Sequence, residues 1–561
     1  MKNTIIRLTS LILISFLFSI PSFSQDYSNI DLAAPMKRSL ALSGNFAELR
    51  SNHFHSGIDI RIGGVIGERV FAPADGYVSR IKIQAYGGGK SLYITHPNGY
   101  TTVYMHLDSY SQATEDYIED YQYKKQTYEF DIFPSPSAIR VNKGELIGRA
   151  GNTGSSGGPH LHYEIRDTRT EETINPLHFG LNVIDRTPPI IYKVRFRPFG
   201  INYNVVGINT NPTKTKGKFD LRNNDTITVD GEFSLGISAI DRSQGSTLRN
   251  GVYEYKLYVD DELFWEFKVD RFSFSNTRYL NACIDYKYYE KFGERFLMTE
   301  KYPNNRFPDF KAYKNNGIID FSQNEIRKIR YELSDFSNNK TVLEFYVRNS
   351  GNTYQERLGD YAQYLHYNQD NRFNKDGVSI SIPKNSLYTN SHLTYIKNSD
   401  NSYLIDITTP LHQNMRVHFP IPESSDPSKL FIARKRNGRY SYVGNSRTST
   451  HVYASTRLLG DFHILEDNEG PSIVSQTIGR NKRIGKDTKY IDFKISDNLS
   501  GIRSYNGYLN GEWVLFEYDG KNGLIRHRVD AKRMKSGLNS LEIRIEDNVN
   551  NISSRTYEFY Y

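Results

Sequence analysis

Cysteine is nearly absent: Cys283 stands alone among 561 residues. A single thiol excludes a disulfide framework, so any metal site must be built from histidine and carboxylate. Tryptophan is almost as scarce, with only Trp265 and Trp513. No apolar run of transmembrane length follows residue 20. There is no polybasic run and no nucleic-acid motif, and a formal charge of +8 is mild for this length. What the chain has in quantity is aromatic sequence, 42 Tyr and 31 Phe, punctuated by 41 Gly and 20 Pro. With its β-branched runs, that composition favours strands joined by tight turns. The length points to three or four domains.

The first residues read as an export signal. Lys2 and Arg7 precede the apolar run Leu8 to Ile20, and Pro21 is followed by Ser22-Phe23-Ser24, small residues suited to cleavage before Gln25. Loss of 1–24 would leave a charge of about +6. No Cys stands directly after the cleavage point, which argues against a lipid anchor. The expectation is an exported protein without an integral membrane segment after cleavage. The periplasm is the first compartment, with secretion or surface display as the alternative. Residues 25–41 read as a lead-in.

From about Leu42 to Leu177 the sequence reads as antiparallel strands. Gly57-Ile58-Asp59-Ile60-Arg61-Ile62 alternates as a half-buried strand does, and Gly76 to Ile83 and Leu92 to Thr95 follow suit. Pro97-Asn98-Gly99 turns the chain into Tyr100 to Leu107. Ser111 to Lys125, charged and Tyr-rich, departs from this and reads as a helix or lid within an insertion spanning 111–138. Downstream there is a repeat. Asp185-Arg186-Thr187-Pro188-Pro189-Ile190 parallels Asp467-Asn468-Glu469-Gly470-Pro471-Ser472-Ile473, and Asp335-Phe336-Ser337-Asn338-Asn339 parallels Asp547-Asn548-Val549-Asn550-Asn551. Each copy holds one tryptophan. Two Ig-like β-sandwiches are expected, over 185–349 and 467–561, the first with an insertion near 275–324 and a β-rich unit at 350–466 between them. Asx turns explain the Asp and Asn loops better than calcium does. The whole chain is expected to be all-β.

Three short islands carry the chemistry: His55-Ser56-Gly57-Ile58-Asp59, then His106, then His160-Leu161-His162. On a straight strand His55 and Asp59 would stand roughly 13 Å apart, so the chain must bend between them, and Gly57 permits it. His160 and His162 face one side of a strand at about 6–7 Å, so one can bind a metal while the other stands beside the open position. The Gly-rich loop 151–158 before them lets a substrate backbone approach. Three ligands, an open position and nearby proton-transfer groups suit zinc-assisted hydrolysis. His53 stands close enough in sequence to touch such a site, whereas His96, before Pro97, suits a structural role.

These islands resemble the lysostaphin-like (LytM-type) zinc metalloendopeptidases of bacterial cell walls, over about Leu42 to Leu177 (a domain set at 42–184). The resemblance extends to Ala72-Pro73-Ala74-Asp75-Gly76, Asn98-Gly99-Tyr100, Lys143-Gly144-Glu145-Leu146-Ile147-Gly148, Gly151-Asn152-Thr153-Gly154 and Gly158-Pro159-His160-Leu161-His162-Tyr163-Glu164. The approach Arg50 to His55, the Tyr-rich insertion and the trailing sandwiches look like the multidomain, Bacteroidetes-type version. The resemblance implies an antiparallel β metallopeptidase domain and one Zn2+ per chain, held by His55, Asp59 and His162. It makes His106 and His160 the catalytic pair and peptidoglycan the substrate, cut at stem-peptide cross-links or interpeptide bridges. The alternatives are a catalytically inactive activator of another wall hydrolase and a wall-binding protein. The sandwiches read as binding or spacing modules open to envelope proteins.

Overall fold

The computed structural model describes residues 27, 29–198, 209–210, 212–215, 218–221, 226–243, 248–352, 362–485 and 487–561. The expected signal at 1–24 lies outside the described residues. The chain is all-β in class, and its sheets are overwhelmingly antiparallel.

The N-terminal unit contains β1 (Leu42–Gly44), β2 (Ile58–Arg61), β3 (Arg69–Phe71), β4 (Gly76–Ile83), β5 (Lys90–Thr95), β6 (Tyr100–Met105) and β7 (Leu107–Tyr110). The helix α1 (Gln112–Lys125) follows, then β8 (Phe130–Ile132), β9 (Arg140–Val141), β10 (Leu146–Ala150), β11 (His160–Asp167) and β12 (Thr173–Ile174). The main sheet runs β1-β2-β11-β6-β5-β4-β8, and β3-β10-β7 forms a smaller one. β11 lies between β2 and β6, in a register that sets His162 opposite both Asp59 and Met105. Directly opposed residues share a face with Cβ atoms roughly 5 Å apart, so pairing alone brings His162 to Asp59.

Helix α1 stands where the charged insertion was expected. Thr114, Ile118 and Gln122, four apart, are its buried face. Its Tyr123 meets Trp513 edge-on at 5.4 Å and lies under Arg533 at 3.9 Å. The helix is a bracket for the C-terminal unit.

The two repeat copies share one strand plan. In the first, Ile190–Pro198 pairs with Phe233–Ile240, and Glu254–Val259 pairs with both Glu262–Lys268 and Ile326–Ser334. In the last, Ser472–Ser475 pairs with Tyr490–Ser496, and Ile502–Leu509 pairs with both Glu512–Val514 and Leu538–Asp547. Each tryptophan sits on the second strand of the equivalent hairpin, Trp265 opposite Leu257 and Trp513 opposite Tyr508. Between the copies, a six-stranded and a five-stranded sheet span Ala362 to Glu466 around a core of their own.

The first sandwich is fused to the N-terminal unit. Their buried apolar residues form one continuous core, which also takes in Tyr388, whereas the middle and last units each have a main core of their own and share a small cluster of Phe431, Ala433 and Val549. Phe54 stacks on Phe307 at 4.7 Å and meets Phe272 at 5.8 Å, and Arg271–Phe272 pairs with β12 as an added strand. Phe307→Ala should therefore lower unfolding free energy by about 3–5 kcal/mol. Hydrogen exchange in a denaturant series should show the N-terminal unit and first sandwich losing protection together, while residues 362–466 keep theirs.

Candidate metal centre

His55 enters the site from a hairpin in which its N–H donates to the Glu48 carbonyl at 2.9 Å and its own carbonyl accepts from Ala47 at 2.8 Å. The chain then bends at Gly57 and becomes β2, which carries Asp59. The bend falls at the expected glycine for a different reason. Gly57 keeps an ordinary φ, but a Cβ there would stand 2.3 Å from the Tyr163 carbonyl oxygen. Close approach of β11, not unusual backbone, fixes that position.

His55 Nε2, Asp59 Oδ1 and His162 Nδ1 form a triangle with every edge 3.0 Å. All three side chains are buried. The outward nitrogens explain the convergence. His55 Nδ1–H donates to the Asn45 carbonyl at 2.7 Å, and His162 Nε2–H donates to Glu164 Oε1 at 2.9 Å. With tautomers assigned from these partners, both inward nitrogens present lone pairs toward a carboxylate oxygen. Three lone pairs at such spacing repel unless a cation lies among them, so the donor set fits a metal ion, and two imidazoles with one carboxylate suit zinc.

The electrostatics agree. Burial lowers the His55 ring's affinity for a proton, so it is neutral. Burial also opposes ionisation of Asp59, but His55, His160 and His162 together hold its carboxyl well below the usual range. Against the effect of burial, Asp59 and Glu164 lift His162 to about 9. The pocket favours one positive charge at this point, which a proton or a metal ion can supply.

Residues that the sequence reading left without a role complete the surroundings. Arg50 Nη2 donates to Asp59 Oδ2 at 2.8 Å, leaving Oδ1 for the triangle. Glu164, fully buried, also accepts from Ser56 Oγ at 2.5 Å and from Arg166 Nε at 2.7 Å. Burial would raise it, yet Arg166, His162 and Ser56 bring it down to about 2. Glu164 was findable: it lies two residues beyond His162 on a strand and so shares its face. Arg50 and Asn45 carry no comparable signal.

His106 and His160 stand beside the triangle. His106 occupies the break between β6 and β7 with φ +62°, a left-handed conformation costing about 1–2 kcal/mol for a side chain of this kind. Its Nδ1–H donates to the Thr153 carbonyl at 2.9 Å, and its ring lies 4.8 Å from that of His160. His160 Nδ1–H donates to the Gly158 carbonyl at 2.8 Å, and its Nε2 comes within 3.4 Å of Asp59 Oδ1. Each ring thus has a fixed Nδ1–H, and the Nε2 of His160 lies toward Asp59. Burial, then the His162 and His160 rings, push His106 down to about 3, so it is neutral at physiological pH.

The remaining candidates lie elsewhere. His53 is exposed, with Nδ1 on the Ser51 carbonyl, and is not among the three convergent donors. His96 is buried between the Asp75 carbonyl and Thr102 Oγ1. Cys283 is buried, and burial pushes its thiol up to about 12. From the last unit, Lys521 Nζ donates to the Asn152 and Ser156 carbonyls, on the loop that leads into His160.

Comparison with known proteins adds the family. Residues 53–123 and 137–176 match the family Peptidase family M23. The chain carries a peptidase family M23 domain. Residues 362–467 match a second family, the Zu5-like domain. An uncharacterized metalloprotease of Haemophilus influenzae is 35% identical over 127 residues, 22% of this chain and 20% of that protein. The DD-carboxypeptidase/endopeptidase Mpg of Neisseria meningitidis is 34% identical over 133 residues, 24% of each chain. Among solved structures, a zinc-containing peptidase from Vibrio cholerae is 26% identical, covering 24% of this chain and 36% of that one, with a TM-score of 0.18. The chain thus spans about a quarter or less of the length of the curated relatives it matches.

The triangle depends on Glu164 to orient His162. Glu164→Gln should weaken zinc binding to the apoprotein by about 10–100-fold with the β fold intact. Chelator competition and circular dichroism check this.

Proposed function

We propose that the protein is an exported zinc endopeptidase that hydrolyses peptide cross-links or bridges of bacterial peptidoglycan. The observation that carries the reading is the pair of imidazoles beside the three-donor triangle, each with Nδ1–H tied to a backbone carbonyl. In this reading His55, Asp59 and His162 hold the zinc. When bound, zinc supplies Lewis acidity at the scissile carbonyl. His106 and His160 act through Nε2. Between them they accept the proton of the attacking water, hydrogen-bond the developing oxyanion and return a proton to the leaving amine. Their fixed Nδ1–H bonds keep both rings aimed during that exchange. Arg50 and Glu164 position the ligands.

The substrate class is supported by the relatives' names, which include, besides Mpg, the peptidoglycan DD-endopeptidase ShyC of Vibrio cholerae, 31% identical over 100 residues. In keeping with an extracytoplasmic substrate, the N-terminal residues suit export, and no described helix is long and apolar enough to cross a membrane. We divide the chain at 42–184, 185–349, 350–466 and 467–561, with the three later units as spacing or binding modules for envelope partners.

Incubation with purified peptidoglycan followed by muropeptide analysis should show new peptide termini. His106→Ala should reduce their rate of appearance by about 10²–10⁴-fold while zinc content stays near one per chain. His162→Ala should lose both zinc and activity. Unchanged muropeptides at full zinc content would overturn the hydrolase reading in favour of an inactive activator.

A further inference from the structure

The two sandwiches share a feature that the M23 chemistry does not use. In the first, Asp185 precedes the opening strand Ile190–Pro198, Asp241 follows Phe233–Ile240, and Asp335 follows Ile326–Ser334. Topologically equivalent positions in the last unit hold Asp467, Asp497 and Asp547. In each set, one carboxylate oxygen from every member lies within 4.8 Å of the others. The surrounding bonds also repeat. Asn339 donates from its backbone N–H and Nδ2 to Asp335 at 2.9 and 2.7 Å, and Asn551 does the same to Asp547 at 2.8 and 2.7 Å. The same Nδ2 groups reach the carbonyls of Asp185 and Asp467, at 3.2 and 2.8 Å.

Asx turns account for these bonds and leave one atom in each cluster unexplained. Asp241 is 98% buried, yet its Oδ1 has no hydrogen-bond partner among the described residues, and neither has the buried Oδ1 of Asp497. Among the described residues, no Lys or Arg forms an ion pair with any of the six aspartates. A carboxylate oxygen held out of water without a partner, beside two further carboxylates, is costly unless a cation joins them. Burial, followed by the charges of Asp185 and Asp335, raises Asp241 to about 7.

We propose that each sandwich binds one divalent cation of the calcium type, held by Asp185, Asp241 and Asp335 in the first and by Asp467, Asp497 and Asp547 in the last. An all-oxygen donor set with carboxylates and nearby carbonyls suits calcium, unlike the imidazole-rich zinc centre. The proposal is independent of the hydrolase reading.

The full chain, dialysed against calcium-free buffer at constant zinc, is titrated with calcium chloride in equilibrium dialysis. Two calcium ions per chain are expected, falling to one in Asp241→Asn or Asp497→Asn and to none in the double variant. Calcium should raise the unfolding temperature of the wild type by several degrees and leave that of the double variant unmoved. Circular dichroism and zinc content of the variants show that they are folded. No binding at millimolar calcium, or unchanged stoichiometry in folded variants, would overturn the proposal. Equal binding of magnesium chloride would overturn the assignment to calcium.

Discussion

The functional site rests on where two protons point. His55 and His162 each give their N–H to a partner outside the triangle, the Asn45 carbonyl and the Glu164 carboxylate. Only then do two nitrogen lone pairs and a carboxylate oxygen face one point at 3.0 Å spacing. Turn either tautomer over and the triangle would close on itself with an internal hydrogen bond. The fold supplies both outer partners from the same segments that supply the ligands: Glu164 from β11, two residues past His162, and Asn45 from the hairpin that ends in His55. Arg50, from that hairpin, occupies the second oxygen of Asp59.

Magnitudes decide how the other units serve this site. Phe54, next to His55, is packed among Phe272, Phe307 and Phe267 of the first sandwich. Burying a ring of about 150–250 Å² is worth roughly 4–6 kcal/mol before entropic costs. The last unit touches the M23 domain through Lys521, the Lys90–Glu517 pair and the Tyr123–Trp513 contact, and through Tyr505, Leu515 and Tyr518, which pack on the shared core. Individual contacts of that sort are worth about 0.5–1.5 kcal/mol net. The first sandwich is thus part of the scaffold that holds His55. The last unit combines part-buried apolar packing on that core with the Lys521 bonds to the Gly-rich loop.

Strand chemistry and the histidine islands that the structure brings together were legible in the sequence because both are local. Alternation marked β2 and β4, the His160/His162 spacing put two imidazoles on one face, and the HSGID segment required a bend that the structure places at Gly57. Glu164 obeys the same two-residue rule, which places it on the face of His162 without indicating what it does there. Arg50, Asn45 and Lys521 were not legible, because each acts across a register or an interface that no sequence window contains. Lys521 reaches Ser156 across 365 positions. The fusion of the first sandwich to the M23 domain was hidden for the same reason. Its aromatics look like any core residues until Phe307 is seen to lie on Phe54. The aspartate loops were half legible: their turn chemistry showed, but convergence of three carboxylates from distant strand ends did not.

Donor chemistry separates the metal centre from the aspartate clusters even where they adjoin. The M23 centre offers two imidazole nitrogens and one oxygen, a set that favours zinc over harder ions, while the clusters offer oxygen alone. Asn45 belongs to both neighbourhoods. Its carbonyl accepts from His55 Nδ1, and its side-chain amide bonds to the Gly251 carbonyl and lies against Asp241. A residue so placed cannot shift toward one site without loosening the other. Asn45 therefore links His55 to the Gly251 segment of the first sandwich through two part-buried hydrogen bonds. The second cluster is tied instead to the middle unit: Asn551, which donates to Asp547, accepts from Lys429 Nζ at 2.5 Å, and the Asp467 N–H donates to the Lys429 carbonyl at 3.1 Å.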